Sequence, residues 1–65
     1  MTSRELLRQL RRRGVTAIPQ RGKGGHVRVE RGDHVSYVPT GSGDLKRPLV
    51  IGILKDLGLT LDDLR

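Results

Sequence analysis

Two short stretches alternate between apolar and polar positions, HVRVE at residues 26–30 and HVSYV at 34–38, with only Arg31, Gly32 and Asp33 between them. Period-two alternation belongs to a half-buried β-strand, and a glycine-bearing turn cluster between two such runs reads as a hairpin. A three-residue loop over 31–33 is predicted. It sets Val29 opposite Val35 and Val27 opposite Tyr37, so that these four share the buried face. His26, Arg28, Glu30, His34, Ser36 and Val38 then point the other way. A two-residue loop would set Val29 against Ser36 and mix the faces.

A hairpin alone is marginal in water, so the flanking segments must cover it. Leu6, Leu7 and Leu10 form one stripe of a first helix, with Arg4, Arg8, Arg11 and Arg12 elsewhere on the wheel. Thr2 and Glu5 fit a capping box, and Gly14 supplies the stop. VTAIPQ, 15–20, is β-rich but contains Pro19, which points to a short edge strand. After a glycine-containing loop, Pro48 suits the first turn of a second helix, whose stripe is Leu49, Val50, Ile53, Leu54 and Leu57 and whose end is Gly58. Thr60 and Asp63 can cap a last turn that tucks Leu61 or Leu64 against the body. The expected fold is α+β: α-β-β-β-α, a three-stranded antiparallel sheet with two helices packed on one face, in one domain spanning 1–65.

A chain of 65 residues buries only about 60% of its unfolded surface, so the core is small. Phe and Trp are absent and Tyr37 is the sole aromatic residue, which makes the core aliphatic and disfavours nucleic-acid recognition by stacked aromatics. With no cysteine there is neither a disulfide framework nor a thiolate zinc site, which suits a reducing cytoplasm. No apolar run approaches the roughly 18 residues of a membrane span and no signal-peptide core stands at the N-terminus, so no membrane partner is expected. The net charge of +6 calls for a polyanionic partner, nucleic acid or an acidic protein.

The chemistry concentrates in RGKGGHVRV, 21–29. GKGG lacks the phosphate-loop pattern, and a strand rather than a helix follows it. Gly24 and Gly25 give clearance for a phosphate backbone, while Arg21, Lys23 and Arg28 supply the charge to hold one. His26 stands among these cations as either an ordinary surface residue or an acid-base catalyst. His34 has no such cluster and is read as structural or peripheral, and RGD at 31–33 is explained by turn chemistry. Two histidines without cysteine do not make a metal site. The arginines at 11–13 are a solvated helix end, an extension of an RNA-binding surface, or a contact for an acidic partner.

A leucine-bearing helix ending in RRRGV, a basic glycine loop closing on Gly25 and His26, the strand VSYVP, the approach GDLKRP and the final ILKDLGL follow one another along nearly the whole chain. In that order they resemble the HicA toxins, the mRNA-cleaving components of HicA/HicB toxin-antitoxin pairs. The resemblance implies a double-stranded-RNA-binding-domain-like fold and ribosome-independent endoribonuclease activity, with the histidine that maps onto His26 as catalyst. It also implies a HicB-type antitoxin covering the site. Three positions differ: family members often have serine where Gly25 stands, a second histidine in the loop that here reads TGSG, 40–43, and is one residue shorter, and a Gly-Thr helix start where Pro48 stands. His26 is therefore the one acid-base group the resemblance assigns. The expected chemistry is attack of a ribose 2′-hydroxyl on the adjacent phosphorus, with no metal, cofactor or small-molecule ligand and with Arg21, Lys23 and Arg28 holding the phosphate. The alternatives are a non-catalytic RNA-binding module of the same fold and a small protein-interaction domain.

Overall fold

The computed structural model describes residues 1–19, 25–41 and 43–64. Along them run α1 (Ser3–Arg12), β1 (Thr16–Pro19), β2 (His26–Arg31), β3 (His34–Pro39), α2 (Arg47–Asp56) and a terminal 3₁₀ turn (Leu61–Leu64). The expected α-β-β-β-α order is present. Local chemistry sets the helix ends: the Glu5 amide donates to Thr2 Oγ1 at 3.2 Å and the Thr2 amide to Glu5 Oε1 at 3.0 Å, a complete capping box. At the far ends, Val15 N–H bonds the Leu10 carbonyl at 3.0 Å and Leu59 N–H the Leu54 carbonyl at 2.7 Å, the six-to-one bonds of Schellman motifs. Pro48 lies in the first turn of α2, where a missing N–H costs nothing.

The sheet is antiparallel with β2 in the centre, so β1 is an edge strand and can hold Pro19. The hairpin differs from the expectation. Arg31 pairs with His34, Glu30 with Val35, Val29 with Ser36 and Arg28 with Tyr37, so the loop is the two residues Gly32 and Asp33. Gly32 has φ +59 and, among the described residues, no non-glycine residue, Asp33 included, has positive φ, the sign pattern of a II′ turn, whose twist matches the strands it joins. Turn chemistry thus outweighs the face-matching that favoured three residues. A one-residue shift in register turns every side chain of β3 over. Ser36 and Val38 face the helices, at 5% and 0% exposure, while Val35 and Tyr37 face outward at 37% and 46%.

Both helices cover the inward face. Leu6 and Leu10 from α1, Val29 and Val38 from the sheet, and Leu54 and Leu57 from α2 and its end are each under 2% exposed. They form one aliphatic cluster, against which Leu61 and Leu64 of the last turn pack. Leu49 is a second correction: it is 42% exposed, and the buried stripe of the helix is Val50, Ile53, Leu54 and Leu57. At 100° per residue Leu49 lies about 90° from the centre of that stripe, beyond what a narrow three-stranded sheet covers. Buried Ser36 is satisfied because its Oγ donates to Asp56 Oδ2 at 2.9 Å. Among the described residues no helix is long and apolar enough to cross a membrane.

Candidate active site

The site begins where β2 begins. Gly25 has φ +91, a conformation that side chains strain to reach, and its carbonyl accepts the Thr40 amide at 2.6 Å. That bond prolongs the hairpin ladder one step past β3 and fixes the entry of β2. The backbone therefore accounts for glycine at a position where the resembling family often has serine.

His26 follows, exposed, opposite Pro39. With Arg28 and Glu30 it occupies the face turned away from the helices, as alternation along β2 requires. Arg21, Lys23 and Gly24, the other expected phosphate-binding residues, lie outside the described residues.

Arg28 is engaged. Its Nε donates to Glu30 Oε2 at 2.6 Å and its Nη1 to Tyr37 Oη at 3.2 Å. The Glu30 carboxylate, and after it the Tyr37 hydroxyl, hold the guanidinium above its usual pKa. A guanidinium has five N–H donors in a fixed fork, so three remain for an anion. Glu30 sets the plane of the fork and partly offsets its charge.

The register brings Tyr37 to this face, where the sequence had placed it inside. Arg28 stands directly opposite it, and His26 is its diagonal neighbour two positions along β2. The Gly-Asp dipeptide was the signal that could have found it, because glycine at the first central position of a two-residue turn dictates this register. Ser36 and Val38, expected to point outward, point inward for the same reason.

His34, also expected outward, belongs to the opposite face and lies beside Gly58 at the end of α2: a Cβ built on that glycine would stand 3.3 Å from His34 Nε2 and 3.2 Å from Arg31 Nη1. The two histidines thus face opposite ways. Among the described residues no three His, Cys, Asp or Glu side chains gather.

A second basic feature adjoins the first. Ser3, Arg4, Leu7, Arg11 and Thr40 line a shallow groove along α1. Thr40 joins it to the start of β2 through the bond to Gly25. Arg4 and Arg11 are exposed and seven positions apart, about two helical turns, so they look the same way.

Taken together, the outward face can bind an anionic oxygen at Arg28 and exchange protons at an imidazole and a phenol. No family model, curated protein or solved structure matches this chain.

Proposed function

We propose that the chain is a metal-independent endoribonuclease of the HicA toxin kind, which cleaves mRNA and is silenced by a HicB-type antitoxin laid over the same face. The observation that carries this reading is His26, exposed at the start of the central strand on the face opposite the core, with the Arg28 fork on the next outward position. A histidine so placed is open to a large substrate, and Arg28 stands one strand repeat from it, close enough for both to serve one phosphodiester. The net charge of +6 supports a polyanionic substrate, and the RRRGV, Gly25–His26 and ILKDLGL elements support the kind of nuclease.

In this reading His26 takes the proton of a ribose 2′-hydroxyl, whose oxygen attacks the adjacent phosphorus. Arg28, with Arg21 and Lys23, stabilises the added negative charge of the transition state. The products are a 2′,3′-cyclic phosphate and a 5′-hydroxyl.

The test is His26→Ala, assayed for folding by circular dichroism, for RNA binding, and for cleavage of a defined transcript. The expected variant folds, binds and does not cleave. Cleavage at the parent rate would defeat the catalytic assignment, as would cleavage of a substrate with 2′-deoxyribose at the cut site.

The groove of Arg4 and Arg11 favours a second reading, an RNA-binding module without catalysis, because two exposed arginines on one helix face offer charge to a phosphate backbone without calling on His26. Binding by the parent without cleavage of any transcript would select it.

A further inference from the structure

Building on the ribonuclease reading, we infer that Tyr37 is the general acid of the reaction, protonating the 5′-oxygen as it leaves. An in-line displacement puts the attacking and departing oxygens on opposite sides of phosphorus, so the base and the acid must stand apart with the phosphate between them. The sheet offers that arrangement. His26 and Arg28 are successive outward positions on β2, and Tyr37 lies directly across from Arg28. On an antiparallel pair a diagonal neighbour is about 7–8 Å away, within reach of aromatic and long side chains. Arg28 sits beside both, with three donors left to hold the phosphate between them.

The hydrogen bond at 3.2 Å gives Tyr37 the right polarity. Arginine only donates, so the phenolic oxygen accepts and its own proton is left for another partner. The same guanidinium then stabilises the phenolate that remains, and Glu30 keeps it in place. Tyr37 is 46% exposed, open to a substrate. In the step itself His26 accepts the 2′-hydroxyl proton as the bond from that oxygen to phosphorus forms. The bond from phosphorus to the 5′-oxygen breaks, and that oxygen takes the Tyr37 proton. The imidazolium returns its proton to the phenolate through solvent, so no co-reactant is consumed.

Tyr37→Phe removes the proton and keeps the ring. On ordinary RNA kcat should fall by about 10²-fold or more, the usual worth of a positioned acid, with KM unchanged. A substrate with sulfur in place of the bridging 5′-oxygen leaves as a thiolate and needs no proton. On it Tyr37→Phe should cleave within a few fold of the parent, while His26→Ala should not recover. Parent-like cleavage of ordinary RNA by Tyr37→Phe would overturn the assignment and show the ring alone to matter. An equal loss on both substrates would overturn it as well, marking a positioning role. If the parent cleaves neither substrate, the ribonuclease reading itself fails and takes this assignment with it.

Discussion

The Arg31 guanidinium donates to the Leu57 carbonyl at 3.0 Å, joining the last residue of the central strand to the end of α2 across 26 positions of chain. The Leu57 carbonyl belongs to the negative pole of the helix, where a cation is favoured. Arg31→Met keeps most of the stem and loses the bond, at a cost of about 1–2 kcal/mol, the range for hydrogen bonds to charged groups less what the stem retains. The urea midpoint should fall with the slope unchanged; a midpoint equal to the parent's would show the bond to be idle.

The two caps respond to acid. Glu5 has its pKa lowered chiefly by the Thr2 amide, and Asp63 by the Thr60 amide, which donates to it at 2.8 Å. A folded-state pKa below the unfolded one means that the stabilisation is fully present above the unfolded pKa and is lost as pH falls through the folded one. Melting temperature should therefore drop below about pH 4, where carboxylates of both kinds begin to protonate in the unfolded chain. In a Glu5→Gln/Asp63→Asn variant that part of the drop should be absent, so the two melting curves converge at low pH. Parallel curves would count against the caps.

Gly25→Ser puts the residue common in the resembling family onto a backbone with φ +91. Space is open around the position, so the cost is conformational, about 1–3 kcal/mol. Chemical denaturation should show the loss. A variant as stable as the parent would mean that this backbone can relax to negative φ.

Arg4 and Arg11 border the groove that meets the start of β2 at Thr40. If each neutralises one phosphate of a single strand, Arg4→Gln/Arg11→Gln should reduce the slope of log affinity against log salt by about 1.4. His26→Ala should leave that slope alone. An unchanged slope in the double variant would place the RNA elsewhere and leave this groove to an acidic protein.

What the sequence made legible follows from how local each signal is. The capping box of Thr2 and Glu5, the glycines that end both helices, and the Thr60–Asp63 pair act over three to five residues, and each formed as expected. The hairpin register was decided by two competing cues. Matching Val35 and Tyr37 to the valines of β2 argued for three loop residues, whereas Gly32 at a position needing positive φ argued for two. The second prevailed because Ser36 finds Asp56, and a buried hydroxyl with a partner costs little. That partner lies 20 positions away, on an element whose packing no local pattern states. His26 and Arg28 kept their face under either register because alternation along β2 is independent of the turn. Tyr37 did not.

The turn at Gly32 and Asp33 decides more than the shape of a loop. Inserting one residue there would exchange the two sides of β3, sending the phenol of Tyr37 towards the leucines and Val38 into water, while every residue named in the site remained in the gene. Such a chain would lose the pairing of Tyr37 with Arg28 and the burial of Val38 in one event. The length of that turn, two residues and no more, thus decides which side chains of β3 stand on the same face as His26.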